Sequence, residues 1–168
     1  KRIGVASTNS LDEDSLKEVV RAAVEIAKLQ KPNEDFEGIP GPEPIQEVDT
    51  FSERTYNFSA IERAKAVKEV VDEADRRGFR AAGAFSTGGR ELCVANSLGV
   101  RAYHASTSAS LNTVVTSETS SGYAQARAID VDDISAAELG RTAAEKCAMG
   151  ENPVAIEPGE YEVILEPL

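Results

Sequence analysis

Between Phe79 and Ile129 the chain contains no proline, and this stretch decides what the rest can fold into. Small turn signals punctuate it at Gly88-Gly89, at Asn96-Ser97-Leu98-Gly99 and at Ser120-Ser121-Gly122. Glycine turns between runs of β-branched and small residues predict an antiparallel meander. The expected strands run over 79–86, 90–96 and 123–129. The run over 100–119 lacks Gly and Pro, and at ~3.3 Å per residue it is too long for one straight strand of a small domain. Its apolar phase also slips: Val100 and Ala102 share one parity, while Tyr103, Ala105, Ala109, Leu111 and Val115 share the other. That slip predicts a bulge or bend within Ala105 to Ser108 and a sheet of four to five strands.

Amphipathic segments flank the meander. Ser59 and Glu62 have the spacing of a capping box, so a helix is expected from Ser59 to Arg77, with Ile61, Ala64, Val67, Val71 and Ala74 as its buried stripe. Gly78 is placed for a left-handed stop. Ser135 and Glu138 repeat the box before a helix to Met149, with Ile134 and Leu139 as a hydrophobic staple; Gly150 ends it. Leu139, Ala143 and Cys147 share one face, which packs Cys147 inside. Nearer the start, Ser10 and Glu13 predict a helix over Ser10 to Leu29, stopped by Pro32. A short strand is expected at Arg2 to Ser7.

Pro32, Pro40, Pro42 and Pro44 crowd the segment from Lys31 to Thr55, which reads as an extended connector because proline removes donors and fixes φ. After Asn152-Pro153 the text changes again. Pro158-Gly159 makes a turn, and Tyr161 to Leu165 reads as a strand stopped by Pro167. The fold class is therefore α+β: an antiparallel meander with helices packed on one face. The organisation is residues 1–55 as the end of a first domain plus connector, 56–152 as a helix–sheet–helix middle domain, and 153–168 as the first strand of a third.

The formal net charge of −11 would repel a phosphate backbone, so direct nucleic-acid binding is not expected. No apolar run approaches the ~20 residues of a membrane helix, and Lys1-Arg2 is followed by no signal-peptide pattern. Cys93 and Cys147, isolated from each other, suggest reduced core thiols in a cytoplasmic protein. His104 is the single histidine; it reads as a strand residue with an ordinary hydrogen bond, and one histidine without a cysteine pair builds neither a zinc helix nor a triad. The glycines fit neither a P-loop nor a dinucleotide fingerprint. The hydroxyl run from Ser106 to Ser121 has no base beside it. It reads as a solvated strand face and turn, or as a sheet edge that pairs with an extended peptide. No residue qualifies as catalytic, cofactor-binding or metal-ligating.

Arg2-Ile3-Gly4-Val5-Ala6 leading into Leu11 to Leu16, then Ala27-Lys28 and the Asp35…Pro40-Gly41-Pro42 connector, resembles the end of the first domain of the TldD/PmbA family, also called modulator of DNA gyrase. The helix from Ser59, the strand Phe79 to Phe85, the Asn96-Ser97-Leu98-Gly99-Val100 turn and the closing helix resemble its middle domain. Pro158 to Pro167 resembles the strand that opens its third. The resemblance implies part of a cytoplasmic protein of proteolysis and peptide maturation, whose partners are a peptide or protein substrate and a homo- or hetero-oligomeric family member. TldD-type members of the family are zinc metallopeptidase hydrolases, and PmbA-type partners lack the zinc motif. The His-Glu-x-x-x-His helix belongs to the third domain, so no catalytic residue is carried over here and zinc is expected only in an intact member. Two readings follow: a non-catalytic scaffold or substrate-cleft portion of such a peptidase, or a binding and assembly module of a catalytically silent subunit. Whether the parent is an enzyme stays open.

Overall fold

The computed structural model describes residues 1–165. The elements are α1 (Glu13–Leu29), α2 (Glu53–Tyr56), α3 (Ala60–Asp75), β1 (Arg80–Ala95), β2 (Arg101–Thr116), β3 (Ser121–Ala128), a 3-10 turn (Val131–Asp133) and α4 (Ala136–Met149). Two compact units divide the chain: residues 1–45 with 94–102, and residues 46–93 with those from 103 onward.

In the first unit, α1 starts later than its sequence suggests. Its cap is Asp12, whose carboxylate accepts from the Ser15 amide. Ser10 instead donates to Asp12 at 2.6 Å, because a carboxylate two residues closer to the helix outcompetes a hydroxyl for the free amides. The Ser10 and Ser15 bonds hold the Asp12 carboxyl well below the usual carboxylate range. The expected strand at Arg2 to Ser7 is absent: the segment is extended without a strand partner. Its Gly4 lies so close to α1 that an added Cβ would meet the Ala27 amide at 2.6 Å. Arg2 donates to the Lys28 carbonyl at 2.7 Å, capping the helix end. In the same unit Asn96 shapes the β1–β2 turn. Its side-chain oxygen accepts from Leu98 and Val100, its amide donates to the connector carbonyl of Pro40 at 2.8 Å, and Gly99 takes φ +99.

The second unit is a three-stranded antiparallel sheet in the order β1-β2-β3 with α3 and α4 on one face. β2 and β3 pair from Ala109↔Ala128 to Thr116↔Ser121. Four or five strands do not form. Gly88 and Gly89, expected as a turn, stay inside the continuous 16-residue β1, and neither takes a positive φ. At Gly89 the missing side chain makes room for the Tyr56 ring, which an added Cβ would approach to 2.6 Å. β2 is likewise one unbroken strand of 16 residues, because both neighbours and the preceding connector support its length. The parity change is nonetheless present. His104 is half-buried beside exposed Tyr103, whereas Thr107, Ala109, Leu111, Thr113 and Val115 are buried.

Small side chains build the core. Ala74, Val115, Ala124, Ala143, Ala144 and Cys147 form one cluster; Val70, Leu111 and Ala136 form the next, with Phe85 and Leu139 against it. Gly140 of α4 faces α3, where a Cβ would sit 2.8 Å from the Val70 Cα. Gly122 of β3 presses on the Ala143 carbonyl and the Cys147 amide of α4. Close approach of backbones compensates for the scarcity of large side chains.

α3 keeps its Ser59–Glu62 capping box, and Gly78 ends it at φ +72. Its buried face matches the expected stripe only in part. Ala74 is buried as expected and Val70 is buried in addition, while Ile61 is 70% and Val67 38% exposed. The helix is rotated so that Ala66, Val70, Glu73 and Ala74 meet the sheet and α4, since Gly140 draws the Val70–Glu73 side inward. At α4 only half of the third box forms: Ser135 accepts from the Glu138 amide, and the Glu138 carboxylate turns to Arg141. Cys147 is fully buried, as its helix face requires, but Cys93 is exposed, which corrects its reading as a core thiol. Residues 161–165, expected as a strand, are extended and pair with nothing among the described residues; Pro167 lies outside them.

Candidate functional site

The polar residues gather where the connector meets the far end of the β2–β3 pair. β3 stops at Ala128, opposite Ala109, and beyond that point residues 50–52 take over the flank of β2. Thr107 N donates to the Thr50 carbonyl at 2.8 Å. Ser52 N donates to the Thr107 hydroxyl at 2.9 Å, which in turn donates to the Ile129 carbonyl at 3.0 Å. Thr50 Oγ1 lies 2.9 Å from His104 Nε2 and donates to the Ala105 carbonyl, so the histidine side chain has the ordinary hydrogen bond expected of it. Thr55 of α2 is fully buried; its hydroxyl donates to the Ile129 carbonyl at 2.9 Å and accepts from the Val131 amide at 2.7 Å. These hydroxyls close a tertiary seam, each paired as a buried group must be. Thr50 Oγ1 lies beside the His104 imidazole but gives its proton to the Ala105 carbonyl, so the pair is not arranged for base activation of the hydroxyl.

Next to the seam, Arg54 forks between two carboxylates. Its Nη1 donates to Glu62 at 2.6 Å and its Nε to Asp132 at 3.2 Å, while the guanidinium stacks 4.8 Å over the Phe58 ring. Glu62 is thereby shared between an ion pair and the α3 cap. The Arg54 bond, with the Ser59 amide and hydroxyl, pulls its carboxyl down to about 2. Asp130 is also lowered, by the Asp132 amide and the Ser52 hydroxyl. The fork lines an open cleft of about 320 Å³ whose apolar floor includes Phe58, Phe85 and Ile134. The Phe58 and Phe85 rings sit 5.7 Å apart. Arg54 answers both Glu62 and Asp132, so the fork orders structure; among the described residues it presents no poised nucleophile.

Of the two readings of the hydroxyl run, the solvated face and turn holds in part, with Ser108, Thr116, Thr119 and Ser121 exposed, and the sheet edge does not. β2 is the central strand, so the run cannot be a free edge: Thr107 and Thr113 are buried, and Ser110 and Asn112 are half-buried on the opposite face. The free edges belong to β1 and β3. Arg54, Thr55 and Asp132 carry no motif that would flag them; the short spacing Ser52-x-x-Thr55, a cap over one helical turn, is the only local sign. Among the described residues no three His, Cys, Asp or Glu are grouped to hold a metal ion. Zinc, implied by the family resemblance, has no fitting donor set here: His104 is engaged by Thr50, and Cys147 donates to the Ser120 carbonyl. No described helix is long and apolar enough to cross a membrane.

Comparison with known proteins gives one family and one fold. The family model for the PmbA/TldA metallopeptidase central domain matches residues 53–149. No curated protein matches the chain. A Thermotoga maritima crystal structure named as a modulator of a DNA gyrase superposes with a TM-score of 0.79 at 17% identity, over 90% of this chain and 36% of that one. TldE from Thermococcus kodakarensis superposes with a TM-score of 0.77 at 20% identity, over 88% of this chain and 35% of that one. The chain thus spans just over a third of each, and at these identities the likeness is one of fold.

Proposed function

The chain belongs to the PmbA/TldD family through its central domain, and from that membership we propose that it is a non-catalytic scaffold portion of a metallopeptidase-family protein acting in proteolysis and peptide maturation. In this reading residues 56–152 form the middle domain, 1–55 end the first, and 153–168 open the third. The scaffold helps to wall a substrate cleft or a subunit interface. Its partners are a peptide or protein substrate and a second family member, and the protein works in the cytoplasm. The observation that carries the reading is the central-domain match over 53–149, a region in which the matched charges and sealed hydroxyls stabilise the fold. Catalytic zinc, in a member that has it, is supplied from outside this chain.

A second reading, a binding or assembly module of a catalytically silent subunit, is favoured by the same passive chemistry. The likeness to a protein named for DNA gyrase fits either reading only through protein contacts, because a charge of −11 disfavours the nucleic acid itself. A peptidase assay of the intact gene product with and without a chelator separates them. Chelator-sensitive cleavage supports the scaffold of an active peptidase; metal-free protein without cleavage supports the silent subunit. Elemental analysis of this chain should find no stoichiometric zinc, and one zinc per chain would overturn both.

A further inference from the structure

The sheet of the second unit has two terminal strands, β1 and β3, and β1 is the longer. Its 16 residues contain neither Pro nor Lys, and its charges are confined to Arg80, Arg90 and Glu91. Proteins commonly blunt such edges with prolines, lysines or brevity, because a long row of unpaired amides and carbonyls templates another strand. The first part of β1 includes Ala81-Ala82-Gly83-Ala84, side chains too small to obstruct an approaching backbone. On the helix side, Val67 and Val71 of α3 lie one turn apart and share a small cleft with Ala82, Gly83 and Ala84. Val67 is exposed there. This is the part of α3 that its rotation toward α4 leaves outside the core.

Alternation along β1 sends Arg80, Ala82, Ala84, Ser86, Gly88 and Arg90 to the opposite face, away from the helices. Arg80 and Arg90 are both exposed, and neither has an ion-pair partner among the described residues. They stand about 33 Å apart at ~3.3 Å per residue, on a chain whose net charge is −11. Two uncompensated arginines on one face of the strip, and a valine ridge on the other, define what would fit between them.

We propose that the free edge of β1, with the Val67–Val71 ridge of α3, is a docking strip for an extended peptide segment that alternates apolar and acidic residues. The peptide's backbone adds a fourth strand. Its apolar side chains rest against Val67 and Val71, and its carboxylates reach Arg80 and Arg90 at the two ends. A second copy of this chain fits less well, since β1 paired antiparallel with itself would set arginine against arginine. The strip deepens the proposed scaffold role by naming what the scaffold holds, and rests on that reading only for its biological purpose.

The test is fluorescence anisotropy of a labelled, end-blocked eleven-residue peptide alternating Glu and Val with Glu at both ends, titrated with the full chain, with hydrogen exchange read on the complex. The expected result is saturable binding that protects amides of residues 80–90. Arg80→Glu/Arg90→Glu, or N-methylation of alternate peptide amides, should weaken it at least tenfold, as should Lys in place of Glu in the peptide. All the substituted positions are exposed, so the variants should fold, and circular dichroism checks that they do. Equal affinity for the N-methylated or the lysine peptide overturns the proposal. So does protection elsewhere, or β1 protection that appears on self-association without peptide. Peptide binding at β1 in an intact protein that shows no chelator-sensitive cleavage would retain the strip and remove the active-peptidase reading; cleavage without β1 binding would do the reverse.

Discussion

Arg54 and Glu62 meet at 2.6 Å, and the same Glu62 carboxylate accepts from the Ser59 amide that opens α3. One side chain therefore fastens α2 to α3 and caps α3 at once. Its folded carboxyl sits at about 2 against an ordinary 4.5. The unfolded chain takes up this proton first, so the contribution is fully present above pH 4.5 and is lost as pH falls toward 2. Denaturant unfolding of the wild type should show stability falling through that window, and Glu62→Gln should flatten the fall while lowering stability at pH 7. An unchanged acid limb in the variant would show that the pair is idle.

The contact between α3 and α4 depends on the absence of a side chain at Gly140. A Cβ there would stand 2.8 Å from the Val70 Cα and 3.2 Å from the Glu73 Cβ, so backbone must move. Gly140→Ala gains helix propensity, worth up to about 1 kcal/mol, but overpacking costs about 1–3 kcal/mol. The expected net is destabilisation by about 1–2 kcal/mol, measured by urea unfolding. Stabilisation would mean that the helices separate without loss.

How much of this was legible in the residues follows from what each signal encodes. The Ser59–Glu62 box, the left-handed stop at Gly78 and the burial of Cys147 depend on a few neighbours along the chain, and all three were readable. Gly88-Gly89 was not: a glycine pair permits a turn, but it equally permits a ring to lie on a straight strand, and Tyr56 decides between them from more than thirty residues away. The face of α3 was misread for a similar reason. Ile61, Val67 and Val71 make the more apolar stripe with Ala74, yet the small partner Gly140 draws Val70 inward beside Ala74. The seam went unseen because Thr50, Thr55 and Thr107 find one another only after β3 has stopped short of β2.

That seam predicts a graded response at Thr55. Its hydroxyl bonds both Ile129 O and Val131 N in a site without solvent. Thr55→Val keeps the shape and leaves the Val131 amide without this acceptor, a loss of about 1–3 kcal/mol. Thr55→Ser keeps the hydroxyl and should lose less. If valine proves as good as serine in chemical denaturation, the hydroxyl is not what closes the seam.

The two cysteines give a reading of the same core without any substitution. Cys93 is exposed on β1, whereas Cys147 is fully buried between α4 and β3 with its Sγ 3.5 Å from the Ser120 carbonyl. A neutral aromatic disulfide should therefore modify Cys93 at once in native protein, and Cys147 only as fast as the α4–β3 contact opens. Denaturant should bring the second thiol to the rate of the first at the concentration where the helical signal is lost. Because Gly122 is what lets α4 lie against β3, Gly122→Ala should expose Cys147 to reagent at lower denaturant, with the reactivity of Cys93 unchanged. Two equally fast thiols in the native protein would mean that α4 does not cover β3 in solution.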